Sequence, residues 1–169
     1  SAVREKAGIF DCTHMGVFEI DGRSATEFLN MAATNDVSLL SAGQAQYSYI
    51  LNEACDVLDD VIIYKMAEDS FLLVANAANK FKIVGHLSEI RKTEAFTGMQ
   101  IEEKYVDIAL QGPTSVDILG EIVDSQTMQA VKEMKGFHFI QTRLNNIDCI
   151  ISNTGYTGSK TGVEIFVLP

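Results

Sequence analysis

Two adjacent carboxylates, Asp59 and Asp60, sit inside the apolar run Val57-Leu58-Asp59-Asp60-Val61-Ile62-Ile63-Tyr64. Successive side chains of a strand point to opposite faces, so if this strand has a buried side one of the two acids turns inward. A buried, uncompensated carboxylate costs several kcal/mol, and such a group is therefore paired, protonated or turned toward a polar pocket. Each of those states is a starting point for chemistry. The competing reading is a hairpin end at which both acids reach water. A second candidate is the loop Thr154-Gly155-Tyr156-Thr157-Gly158-Ser159-Lys160-Thr161-Gly162, followed by Val163-Glu164-Ile165. It reads either as a ligand clasp, with Tyr156 stacked on a ring and Glu164 hydrogen-bonding it from the next strand, or as a long β connection that needs glycine at its bends. No helix follows to supply a dipole, which argues against a phosphate cradle.

Other chemistries find less support. His14, His86 and His138 are far from one another and from any cysteine, so local spacing assembles no metal site. Ser48 and Ser115 lack the strand-turn-helix context of an activated serine. Cys12, Cys55 and Cys149 are odd in number and widely spaced, and read as reduced thiols rather than a disulfide framework.

The elements that must position these residues follow from periodicity. Met15 to Ile20 alternates as a strand, and Ser24 with Glu27 has capping-box spacing ahead of the stripe Phe28, Leu29, Met31 and Ala32. Residues 44–51, 57–66 and 70–75 read as an antiparallel meander with the aspartate pair on its middle strand. Asn76 ends the last of these and is placed to cap a helix through Phe81, Val84, Leu87 and Ile90. Strands are predicted over 100–104 and 106–110, then a turn at Gln111-Gly112-Pro113 and short helices over 114–122 and 127–134. Hairpin strands over 137–144 and 147–152, joined by Asn145-Asn146, precede a last strand over 163–168. The pattern predicts an α+β fold of mainly antiparallel sheets with packed helices. No strand-glycine-helix unit of a dinucleotide fold is present, which counts against NAD.

Composition sets the outer limits. A chain of 169 residues with 47% hydrophobic content can build a sizeable core as one domain or two closely packed halves. The net charge of −10, from 23 acidic and 13 basic residues, disfavours nucleic acid and anionic membrane as partners. Only Arg4, Arg23, Arg91 and Arg143 are available to grip an anion. No apolar run reaches membrane-spanning length.

Taken together, Gly8-Ile9-Phe10-Asp11-Cys12-Thr13-His14-Met15-Gly16, Gln46-Tyr47-Ser48, Asn52-Glu53, Leu58-Asp59-Asp60, Tyr64, Val74-Ala75-Asn76-Ala77-Ala78-Asn79, Leu110-Gln111-Gly112-Pro113 and Thr154-Gly155-Tyr156-Thr157-Gly158 resemble the aminomethyltransferase (T protein) family of the glycine cleavage system. The resemblance runs from about Arg4 to the last residue. It implies that residues 1–169 are a folate-binding core of two closely packed halves, roughly 1–104 and 105–169. It also implies a tetrahydrofolate-dependent transfer, within one-carbon metabolism and glycine catabolism, from an aminomethyl group on a lipoyl carrier protein (H protein), with release of ammonia. By the same resemblance Asp60 is the catalytic carboxylate and faces the folate, while Asp59 lies on the other face. Glu164 binds the pterin's amino edge, Tyr156 and Tyr47 line the cleft, Met15 and Asn76 complete its wall, and Tyr64 belongs to the same set. No metal is implied. The expected location is a bacterial cytoplasm or a mitochondrial matrix.

The chain departs from the family pattern in places. Cys55-Asp56 stands where the family has Gly-Gly, and residues 158–162 form a loop one residue longer than the family's Gly-Glu-Asp-Gly. The family also has a leading segment, an arginine-bearing motif and a C-terminal barrel domain outside the matched stretch. Full turnover by these residues alone is therefore not expected, and exposed edges favour self-association. Two related activities share this core: folate-binding proteins of iron–sulfur assembly without glycine cleavage, and folate-dependent demethylases.

Overall fold

In the computed structural model, which describes residues 2–92, 94–96, 98–154 and 161–169, the alternating runs are strands and the 3.6-residue stripes are helices. In chain order the first elements are α1 (Ala2–Glu5), β1 (Gly8–Asp11), β2 (Gly16–Asp21), α2 (Ala25–Ala32), β3 (Ala45–Leu51), β4 (Val57–Ala67), β5 (Ser70–Ala75) and α3 (Lys80–Arg91). They are followed by β6 (Gln100–Glu103), β7 (Val106–Gln111), α4 (Ser115–Gly120), α5 (Ser125–Glu133), β8 (Phe139–Leu144), β9 (Ile147–Ser152) and β10 (Gly162–Val167). Short 3-10 turns occupy Val37–Leu39, Ala77–Asn79 and Glu94–Phe96. The fold is α+β with two antiparallel sheets, as the sequence pattern predicts.

The chain forms two units, His14–Lys104 and Ser1–Thr13 with Tyr105–Pro169. In the first, strand order is β3-β4-β5-β2-β6. The face carrying Phe18, Ile20, Ile50, Val61, Ile63, Phe71 and Leu73 packs with Phe28 and Leu29 of α2 and Ile83 and Leu87 of α3 in one buried cluster. Asp59 lies on this face, because it shares its parity with Val61 and Ile63, and Asp60 lies on the other. The free side of β3 is not left open. Thr34 N donates to Tyr49 O at 3.0 Å, Asn35 Nδ2 to Tyr47 O at 2.6 Å, and Asn35 N to the buried Ser48 Oγ at 3.0 Å. Ser48 is thus consumed in holding the edge.

Local signals are met unevenly. Asn145 and Asn146 take φ of 45° and 70°, the left-handed pair that a two-residue hairpin needs. Ser24 stands at the N-cap of α2 but makes no side-chain cap bond, so the capping box read from Ser24 and Glu27 does not form. Asp124, ahead of the predicted start of α5, does cap it, accepting from Thr127 N at 2.7 Å. Strand β1 has no counterpart in the sequence reading, since its pairing partner is β7, about a hundred residues later.

Cys55, where the resembled family has glycine, sits at φ 64°, inside a turn closed by Cys55 N to Asn52 O at 2.9 Å and Asp56 N to Asn52 Oδ1 at 2.8 Å. A β-carbon is strained in that region. Cys55→Gly is expected to raise stability by about 0.5 to 1 kcal/mol, the relief of strain being partly offset by a more flexible unfolded chain. A urea midpoint that stays level or falls would show the turn to be unstrained.

In the second unit the order is β1-β7-β10-β9-β8. Leu110, Leu119, Val131, Cys149, Ile151, Val163 and Ile165 form its core on the face covered by α4 and α5. The turn Gln111-Gly112-Pro113 is fixed by contact: Gly112 has φ 126°, and a β-carbon there would lie 2.5 Å from Lys6 O.

Candidate functional site

The His14–Lys104 unit brings Asp60, Tyr47 and Asn76 together. Asp60 is exposed on β4, with Tyr49 opposite it on β3. Its two carboxyl oxygens are held by different donors: Asn76 Nδ2 to Oδ1 at 3.0 Å and Tyr47 Oη to Oδ2 at 3.2 Å. The ring of Tyr47 meets that of Tyr49 edge-on, with centroids 5.3 Å apart. Hydrogen bonding with Tyr49, then burial, then the bond to Asp60 all push the Tyr47 hydroxyl above the usual phenol range, so it remains a neutral donor.

Asn76 was placed by the sequence as a helix cap. It precedes the Ala77–Asn79 turn but makes no side-chain cap bond. Capping would use its Oδ1 as acceptor, but the side chain is turned so that its Nδ2 donates to the aspartates. Asn76 N donates to Asp59 Oδ2 at 2.8 Å, and Nδ2 is shared between Asp59 Oδ1 at 3.0 Å and Asp60. Asn79 Nδ2 adds a bond to Asp59 Oδ1 at 2.7 Å, and Lys82 Nζ donates in turn to Asn79 Oδ1 at 2.7 Å. Asp59, 4% exposed, is therefore the inward member of the pair and is compensated by three N–H groups. Tyr64 lies farther along β4 on the Asp60 face and is fully buried, and Met15 is buried just before β2.

The other unit holds Glu164, 5% exposed, on β10. Its Oε2 accepts from Thr154 Oγ1, and Thr154 Oγ1 lies 2.8 Å from Ser152 Oγ. On the same face, Gln111 Nε2 donates to Val163 O at 3.2 Å. A β-carbon at Gly162 would lie 2.2 Å from Gln111 Oε1, which explains the glycine at the entry to β10. Tyr156 lies outside the described residues.

Sequence reasoning missed Asp107. It is 1% exposed on β7, directly across the ladder from Phe166 and so one diagonal step from Glu164, which faces Ala109. Burial, and then the charge of Glu164, raise its carboxyl to about 8. The signal was present: an acid inside Val106-Asp107-Ile108-Ala109-Leu110 is the same pattern that singled out Asp59 and Asp60. Among the described residues no group of three or more His, Cys, Asp or Glu side chains is placed to hold a metal ion. No helix among them is long and apolar enough to cross a membrane.

Both sheets are antiparallel, which sets the fold apart from the parallel sheet of a nucleotide-binding α/β protein. The chain belongs to the GCVT N-terminal domain family, whose pattern matches residues 1–169. It is 41% identical over 169 residues to an aminomethyltransferase of Chlorobium chlorochromatii (strain CaD3), covering 98% of this chain and 44% of that protein. With an aminomethyltransferase of Clostridium botulinum (strain ATCC 19397 / Type A) it shares 38% identity over 168 residues, 99% of this chain and 44% of the relative. The chain thus spans less than half the length of these curated relatives. The crystal structure of glycine cleavage system aminomethyltransferase T from Bartonella henselae superposes with a TM-score of 0.83 at 34% identity, over 98% of this chain and 43% of that one. A heterotetrameric sarcosine oxidase from Corynebacterium sp. U-96 shares the fold at 16% identity, with a TM-score of 0.64 over 96% of this chain and 75% of that one.

Proposed function

We propose that this chain is the folate-binding core of an aminomethyltransferase of the glycine cleavage system. The observation that carries the reading is Asp60, an exposed carboxyl gripped through both oxygens by Asn76 and Tyr47 in a chain of this family. In the proposed reaction a lipoyl carrier protein presents an aminomethyl group on sulfur, two tetrahydrofolate nitrogens form bonds to its carbon, and the carbon's bonds to the amino nitrogen and to sulfur break, giving methylene-tetrahydrofolate, ammonia and the free dihydrolipoyl thiol. Positive charge develops on that carbon and nitrogen, and a carboxylate fixed beforehand stabilises it without reorganising. Asp60 is the catalytic residue of this proposal, and Tyr47 and Asn76 position it. Glu164 accepts hydrogen bonds from the pterin's amino edge, for which its burial and its Thr154 partner hold it ready. Met15, Tyr64 and Tyr156 are proposed to line the folate site. The bacterial relatives fit a cytoplasmic location, with the mitochondrial matrix as the eukaryotic equivalent.

Calorimetric titration with 5-formyl-tetrahydrofolate tests the reading. Binding is expected, and Glu164→Ala is expected to weaken it by about 1 to 3 kcal/mol, the cost of an amino edge left without its acceptor. A folded chain that binds no folate, or a Glu164→Ala variant that binds as tightly as the parent, would rule out this assignment of the site.

A further inference from the structure

Asp107 is an acid that the proposed reaction does not use. It is buried, and its Oδ1 has no hydrogen-bond partner among the described residues. Native proteins leave few such groups, and those that remain call for a ligand, a water or a functional reason. Its surroundings are chemically defined. On the same sheet face stand Glu164 from β10, Gln111 from the end of its own strand and Ser152 from β9. Cys12, just beyond β1, donates its backbone N–H to Asp107 O at 2.9 Å. Among the described residues the titratable groups facing Asp107 are therefore Glu164 and the Cys12 thiol, and Asp11 acts on that thiol in turn. No cation among the described residues faces it.

The two acids stand one diagonal step apart on one buried face, and burial first and the charge of Glu164 second both favour the protonated form of Asp107. Their hydrogen-bond partners differ. Glu164 accepts a hydroxyl hydrogen bond from Thr154, whereas Asp107 Oδ1 has no partner among the described residues. The face thus offers one acceptor acid and one donor acid side by side. That pattern matches a 2-aminopyrimidinone-type edge, in which N–H donors flank a carbonyl or imino acceptor.

We propose that Asp107 is a second ligand-binding acid on this sheet face, donating a hydrogen bond from its carboxyl to a ring acceptor of the heterocycle whose amino edge Glu164 binds. The inference rests on the folate reading and assigns the acceptor end of the ring to a residue of this chain. It gives folate affinity a pH dependence of defined sign. The donor is present while Asp107 holds its proton and is lost as pH rises through about 8. Cys12, raised in the same direction by burial and by both acids, is neutral through that window and is not the group that changes.

The test is titration of the chain with 5-formyl-tetrahydrofolate from pH 6 to 9.5, for the parent, Asp107→Asn and Asp107→Leu, with folding of each checked by circular dichroism. Parent affinity is expected to be level to about pH 7 and then to fall by up to tenfold per pH unit above the transition. Asp107→Asn keeps an N–H donor without an ionisable proton and should bind with a flat pH profile. Asp107→Leu should bind about tenfold more weakly than the parent at pH 6.5, the loss of one hydrogen bond. A flat parent profile overturns the proposal, as does the same fall in Asp107→Asn or parent-like binding by Asp107→Leu, and each of these leaves the folate reading standing. Absence of binding by the parent at every pH overturns the folate reading and this inference with it.

Discussion

Between pH 5 and 8.5 the parent chain is expected to lose stability steadily while Asp107→Asn holds level. The folded-state value of Asp107 is raised to about 8, whereas in the unfolded chain the group titrates near 3.8. Below the unfolded value both states hold the proton and the group costs nothing. As pH rises from there the unfolded chain releases its proton while the folded chain keeps it, so unfolding gains free energy at up to about 1.4 kcal/mol per pH unit. Above about 8 the folded carboxyl ionises too, and the penalty is complete, with an upper bound of about 6 kcal/mol. The other carboxyls and thiols whose shifts are resolved act outside this window. Asp36 and Asp124, held below the ordinary range chiefly by hydrogen bonds to Ser38 and Thr127, add stability that is present at neutral pH and lost as pH falls past the unfolded value. The Cys12 and Cys149 thiols, raised by burial, have their effect above the range of the comparison. Urea unfolding of parent and Asp107→Asn across the range isolates the one group. Parallel curves for the two proteins would show that Asp107 ionises in the ordinary carboxylate range and that a counter-charge reaches it.

The difference between Asp107 and the aspartate pair also shows what was legible in the sequence. Strand alternation alone requires Asp59 and Asp60 to face opposite ways, and they do. It does not say which of them is inward, because that depends on which face the helices cover, and α2 and α3 lie elsewhere in the chain. Nor does alternation supply the compensating donors. Asn76 and Asn79 reach Asp59 from the turn after β5, and a local reading assigns Asn76 to the helix it precedes. Ser24 and Glu27 have the right spacing and form no capping box, whereas Asn145-Asn146 is legible because a tight turn is decided by its own two residues. Strand β1 and the Asp107 pairing depend on contacts between residues about a hundred or fifty positions apart, which no local window contains. The single acid in β7 carried a signal all the same. An acid in an apolar strand is informative whether or not it has a neighbour of its own kind.

The aspartate pair yields the sharpest contrast between structure and chemistry in adjacent residues. Asp59→Ala is expected to destabilise the chain by about 2 to 4 kcal/mol, because Asn76 N, Asn76 Nδ2 and Asn79 Nδ2 all lose a buried acceptor. Asp60→Asn is expected to change stability by less than about 0.5 kcal/mol, since its donors are solvent-accessible and rehydrate. On the proposed aminomethyl transfer the order reverses. Asp60→Asn in the whole enzyme should lower kcat by roughly 100- to 1000-fold, the usual loss when a group aimed at developing charge is neutralised. Asp59→Asn, assayed at a temperature where it remains folded, should retain most of the parent kcat, its effect reaching the reaction only through Asn76. Ammonia release from the aminomethyl-loaded carrier measures the second pair of values and urea unfolding the first. A stable Asp59→Ala chain would mean that the amides around it find other acceptors. An Asp60→Asn enzyme turning over at the parent rate would mean that the grip of Tyr47 and Asn76 on that carboxyl serves the strand and not the reaction.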